Sequence, residues 1–184
     1  MSGPGIEDDA LFRLFAGNND PNGRARMIGD IDGDGRNDLS WISPDHSEIR
    51  LYTALAGNPL CGPDDASVTV TLAEDSLLTV VLDLGDLDGD GRDETLFPAS
   101  WYAPESTAVA GIFFGSELDY RATVDFSTAS LQAVSNRTRS RFGQQVILSP
   151  DTDGDGIRDL IFGGPEDDEA GDAAGAITPI PLPY

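Results

Sequence analysis

Oxygen-bearing side chains fall at alternate positions in three short stretches of this chain. GDIDGDGRND, residues 29–38, offers Asp30, Asp32, Asp34 and Asp38, with the Arg36 carbonyl between the last two. GDLDGDGRDE, residues 85–94, offers Asp86, Asp88, Asp90, the Arg92 carbonyl and Glu94. PDTDGDGIRD, residues 150–159, offers Asp151, Asp153, Asp155, the Ile157 carbonyl and Asp159. Carboxylates this close repel: two unit charges about 5 Å apart cost on the order of 3 kcal/mol at an effective dielectric near 20. A cation at the centre cancels that cost. Hard, charged oxygens suit Ca²⁺, which takes six to eight of them, whereas Mg²⁺ prefers fewer protein ligands and a stricter octahedron. Zn²⁺ would want Cys or His, and neither lies nearby. The expectation is about three Ca²⁺ ions, one per loop.

Two features separate these lines from ordinary turns, in which Asp and Gly also dominate. Counted from its first aspartate, each line has an acid at the ninth position, and the pattern occurs three times. Glycines follow the second and third acids, where positive φ would let the backbone curl around one centre. An EF-hand is excluded, because its loop needs a bidentate Glu at position 12 and flanking helices. Position 12 here is Trp41, Phe97 or Phe162, an apolar residue of the next segment. The loop closes like a hairpin.

The flanking segments explain how such loops are held. Short runs of strand formers precede each loop (RARMI, LLTVVLDL, QQVIL) and follow it (LSWIS, TLFPA, LIFGG). They are too short and too interrupted by Gly and Pro for helices, so strand–loop–strand is predicted. Third runs follow as EIRLYT, VAGIFF and AITPIPL, and fourth runs as VTVTL (68–72) and ATVDF (122–126). With ALFRLF near the N-terminus this makes twelve strands, no helix, and an all-β chain. The loops begin 56 and 65 residues apart, a spacing that indicates repeated supersecondary units. The approximate units are 18–72, 73–126 and 135–184 within a single repeat domain, with residues 1–17 as an extra N-terminal strand.

Composition limits the partners. A net charge of −22 argues against nucleic acid and anionic membrane. No apolar run reaches 18 residues, so no membrane-spanning helix is expected. Cys61 is alone and has no internal disulfide partner.

These lines resemble the FG-GAP repeat, the calcium-binding blade of integrin α-subunit-like β-propellers, whose pattern is FG, then D-x-D-x-D-G-x-x-D-L, then GAP. The third unit matches best, with Phe142-Gly143, DTDGDGIRDL and Gly163-Gly164-Pro165. The first has FAG at 15–17, Asp38-Leu39 and Ser43-Pro44; the second departs most, with Glu94 for the last Asp and FPAS for GAP. The resemblance implies three four-stranded antiparallel blades with calcium in the hairpin between the first two strands of each. It also implies an extracellular setting in adhesion, recognition or scaffolding. Three blades are too few to close a ring of the usual 4–8, so the reading is a partial propeller or one completed by self-assembly, ring or filament. In that scheme the N-terminal strand of one molecule could complete the third blade of the next.

No catalytic set is expected. His46 is the only histidine and lies in the expected turn SPDHSE, and Cys61 has no second histidine to help activate it. Trp41 is expected in the packing, while Trp101 and Tyr102 could reach a surface. The functional expectation is a non-catalytic extracellular calcium-binding structural or adhesion module. The alternative is a carbohydrate-recognition module or an accessory to a polysaccharide-active enzyme.

Overall fold

Apolar runs of four to eight residues bounded by Gly, Pro and Asp are what a strand-rich chain requires, and strands form in nearly all of them. In this computed structural model residues 13–14, 23–53, 60–72, 76–78, 80–101, 107–118, 120, 122–138, 142–143, 145–166 and 174–182 are described. Among them lie fifteen strands: β1 (Arg13–Leu14), β2 (Arg24–Met27), β3 (Leu39–Ile42), β4 (Glu48–Tyr52), β5 (Leu60–Cys61), β6 (Val68–Thr71), β7 (Ser76–Leu78), β8 (Leu82–Gly85), β9 (Glu94–Trp101), β10 (Thr107–Phe113), β11 (Thr123–Asp125), β12 (Leu131–Thr138), β13 (Gln145–Leu148), β14 (Leu160–Gly164) and β15 (Ala176–Ile180). Helix is confined, among the described residues, to three-residue 3-10 turns. The chain is all-β, its sheets are largely antiparallel, and none closes on itself.

The first sheet is the antiparallel series β2-β3-β4-β6, extended by β11. The second runs β12-β10-β9, with β7 and β8 sharing the far side of β9. Leu82 pairs with Leu96 and Leu78 with Ala99, so pairing lapses opposite Phe97 and Pro98. Pro98 has no N–H to give a ladder, which suits a break there. The third sheet is β13-β14-β15.

The second sheet is packed on both faces. Successive residues of a strand point to opposite faces, so Phe97 and Phe113 enter one core while Leu96, Ile112 and Phe114 enter the other. The first core joins sheets one and two through Ile28, Ile49, Leu51, Val68 and Val70; the second joins sheets two and three through Val146, Leu160 and Phe162. This two-sided burial accounts for the continuous apolar run VAGIFF. The four residues VTVT of β6 alternate instead, with the valines buried.

Fifteen strands replace the expected twelve, because β5 is added, the run LLTVVLDL divides into β7 and β8, and β12 appears; the three larger sheets hold five, five and three strands rather than four each. Three assignments change the connections. The segment ATVDF was assigned to the second unit, yet Thr123–Asp125 pairs in parallel with Thr69–Thr71 of the first sheet. Phe126, which follows this strand, anchors in the first core between the two sheets, with its ring 6.2 Å from that of Phe113. The outer strand of sheet two is β12, whose polar sequence LQAVSNRT gave no strand signal. The third difference is β1, which pairs in parallel with Leu60–Cys61 of its own chain rather than standing apart. Phe15-Ala16-Gly17 and Tyr102 lie outside the described residues, and of Trp101 only the backbone is described.

Candidate metal centres

Each acidic line forms the connection of an antiparallel hairpin, β2–β3, β8–β9 and β13–β14. The hairpins close on backbone pairs: Ile28 N–H to the Asp38 carbonyl at 2.9 Å in the first, and Ser149 N–H to the Asp159 carbonyl at 2.8 Å in the third. In the second, Gly85 stands opposite Glu94.

The first aspartate of each loop organises the turn. Asp30 accepts from the N–H of Gly33 at 2.8 Å and of Gly35 at 2.6 Å. Asp86 accepts from Gly89 at 2.7 Å and Gly91 at 3.0 Å, and Asp151 from Gly154 at 2.5 Å and Gly156 at 2.8 Å. Wrapping six residues around one carboxylate needs the left-handed backbone, and these six glycines have φ between 79° and 92°. The second aspartates Asp32, Asp88 and Asp153 each accept from the N–H two residues on, at 3.1 Å. The third, Asp34, Asp90 and Asp155, do the same for Arg36, Arg92 and Ile157 at 2.9, 2.8 and 2.7 Å. Those N–H bonds fix the peptide units beside the Arg36, Arg92 and Ile157 carbonyls, the backbone oxygens expected as ligands.

The ninth acid is the buried one. Asp38, Glu94 and Asp159 are 2%, 0% and 0% exposed, and each accepts from the N–H of the residue after the first aspartate: Ile31 at 2.9 Å, Leu87 at 2.6 Å, Thr152 at 2.6 Å. The Thr152 hydroxyl also donates to Asp159. Glu94 Oε1 and Asp159 Oδ1 are buried without a hydrogen-bond partner, although the Gly115 backbone N–H lowers the pKa of the Glu94 carboxyl. A buried, unsatisfied carboxylate oxygen is costly unless a cation meets it.

Carboxylate oxygens within 4.8 Å of one another come from Asp30, Asp32 and Asp38 in the first loop and Asp151, Asp153 and Asp159 in the third. In the second they come from Asp86, Asp88 and Asp90. Asp34, Asp155 and Glu94 lie outside these compact groups. Each group is a set of hard carboxylate oxygens that could hold a metal ion, and the third includes Asp159, one of whose buried oxygens has no partner.

Electrostatics divides the acids in the same way. Burial pushes the Asp38 carboxyl up to about 7, against the pull of the Ile31 N–H, and the charges of Asp32, Asp30 and Asp34 add to the rise. Burial likewise raises Glu94 to about 7, with Asp88 and Asp86 contributing. Asp151, fully exposed, is held below the usual range by the N–H groups of Gly154 and Gly156.

The residues singled out as bystanders divide cleanly. Trp41 is 2% exposed, with the Arg50 guanidinium 4.6 Å from its ring centroid, so it packs rather than presents a surface. His46 sits in a turn closed by its N–H to the Ser43 carbonyl, at positive φ. Asp93, not among the expected ligands, has a role of its own. Its Oδ2 accepts from the Asp30 N–H at 2.7 Å, joining the second loop to the first. Arg158, at the same place in the third loop, donates to the Leu84 carbonyl at 2.8 Å. The available signal was that this eighth position differs in charge between repeats: Asn37, Asp93, Arg158.

No family model matches the chain, and no curated protein matches it. The likeness to FG-GAP repeats rests on the motif residues alone.

Proposed function

We propose that this chain is a non-catalytic structural or adhesion module that binds one Ca²⁺ in each of three hairpin loops, with FG-GAP-like sheets serving as propeller-type blades. The observation that carries the reading is the ninth acid, buried in every loop and left in two of them with an oxygen that no protein group satisfies. Asp30, Asp32 and Asp38 would hold the first ion; Asp86, Asp88 and Asp90, with Glu94 behind them, the second; and Asp151, Asp153 and Asp159 the third. The ion would supply charge neutralisation, and the chain's own residues the cage, through glycines at positive φ and N–H groups that fix each carboxylate. Extracellular calcium is millimolar, and extracellular modules bind it with dissociation constants of about 10⁻⁴–10⁻³ M, so the sites suit that compartment. No described helix is long and apolar enough to cross a membrane.

Self-association is part of the proposal. Ile147 and Ile177, 58% and 77% exposed, give the third sheet apolar surface. Light scattering in millimolar calcium tests it, and a stable monomer would remove it. For the central reading, calorimetric titration with CaCl₂ should give three ions per chain and preference over MgCl₂. No heat and no bound ion would overturn it.

A further inference from the structure

The three loops are not equivalently joined. Asp30, a candidate ligand of the first loop, donates its N–H to Asp93 Oδ2 at 2.7 Å, and its carbonyl accepts the Asp93 N–H at 2.8 Å. Asp93 precedes Glu94, the buried acid of the second loop. A ligand residue of one loop is therefore clasped, donor and acceptor, by the neighbour of a ligand residue in the other. The approach is so close that a Cβ on Gly29 would come 2.1 Å from Asp93 Oδ2 and 2.6 Å from Asp83 Oδ1.

A second contact ties the same two loops. The Tyr120 hydroxyl donates to the carbonyl of Ile31, whose N–H is held by Asp38, and lies 2.9 Å from the Gly115 carbonyl. Arg92 of the second loop reaches that Gly115 carbonyl at 3.4 Å, and its guanidinium lies 5.8 Å from the Tyr120 ring. A Cβ on Gly115 would meet the Ile31 carbonyl at 2.6 Å and the Asp93 carbonyl at 3.1 Å. Gly115 and Tyr120 thus wedge the loops into one body. The third loop touches the second through Arg158 and the Leu84 carbonyl, a strand group two residues before the first ligand.

We propose that the first two loops take up their cations as a coupled pair, with Asp93 as the positioning residue between them, while the third loop binds independently of the first. The inference rests on the calcium reading above. Ordering Asp30 around an ion also orders Asp93 and the peptide that carries Glu94, so the second ion finds its cage already set. Coulomb repulsion between the two ions opposes this and weakens as salt is added, with a Debye length of about 8 Å at physiological ionic strength. The hydrogen-bonded clasp is not screened in that way. Coupling must be reciprocal, so silencing either loop weakens the other by the same factor.

The test is a CaCl₂ titration of the full chain in physiological salt, followed by NMR. The amides of Gly35, Gly91 and Gly156 report the three loops separately. Asp32→Ala, which silences the first loop without touching the clasp, should weaken the second loop about fivefold or more and leave the third unchanged. Asp93→Ala, which removes no expected ligand, should weaken both the first and second loops. Asp93→Asn, which keeps an oxygen for the Asp30 N–H, should restore most of the loss, as a general destabilisation would not. If all three glycines respond in the wild type but Asp32→Ala leaves the second loop's affinity unchanged, the coupling is wrong and the calcium reading stands. If no glycine responds in the wild type, both fall together.

Discussion

The second and third loops differ at the residue that matters most for closing the cage, Glu94 against Asp159. The longer side chain suggests a weaker or distorted site. Yet both acids are fully buried, both accept the N–H of the residue after the first aspartate at 2.6 Å, and both leave one oxygen without a partner. The difference appears in the company they keep. Asp159 belongs to the compact acid group of its loop, whereas in the second loop exposed Asp90 takes that place. What the repeat preserves is a buried acid tied to the turn, and a methylene of length is absorbed around it.

The comparison breaks first at the buried acids themselves. With calcium present, Asp159→Ala and Glu94→Ala should each cost about 3 kcal/mol, combining an unsatisfied buried N–H with loss of one ion. In chelator the cost should shrink, because the deletion also removes a buried carboxylate with one oxygen left unpartnered. Urea unfolding in both conditions measures this, and a cost confined to Asp159 would end the equivalence of the two loops.

Next in size is the response to pH. Glu94 and Asp38 are raised to about 7 in the folded protein, above the ordinary carboxylate range of the unfolded chain. A raised acid binds its proton more tightly when folded, so its contribution is complete below the unfolded value and is lost as pH rises through about 7. The chelated protein should therefore resist urea better at pH 5 than at pH 8. Saturating calcium, which needs the ionised acids, should reverse that order.

Smaller effects test the backbone. Gly91 and Gly156 have φ of 88° and 92° and no atom within 4 Å of an added Cβ. Alanine at either should cost only the left-handed penalty, about 1–2 kcal/mol, equally in the two loops. Smallest is Glu94→Asp, which draws the carboxylate back from the Leu87 N–H and should cost about 1 kcal/mol, a typical net hydrogen bond. A gain in stability there would mean that the longer side chain is a defect rather than an adaptation.

The loops were legible in the sequence because their geometry is local: Asp30, Asp86 and Asp151 bond to N–H groups three and five residues on, and Gly supplies the φ those bonds need. The hairpins were legible for the same reason. The exchange of β11 and β12 between sheets was not. Thr123–Asp125 has a strand's alternation, but its partner, Thr69–Thr71, lies far away in sequence, and no local pattern names it. The role of Asp93 was hidden among acids of identical type, since a carboxylate that holds a neighbouring loop and one that holds a cation look alike in a row of letters.

The most direct test is thermal unfolding of the full chain in about 1.5 mM calcium and again in excess chelator. At a dissociation constant of about 10⁻⁴ M each site adds about 1.6 kcal/mol, or about 5 kcal/mol for three. For a chain of this size that corresponds to a Tm about 10–20 °C higher with calcium. A Tm that chelation leaves unchanged would contradict the account.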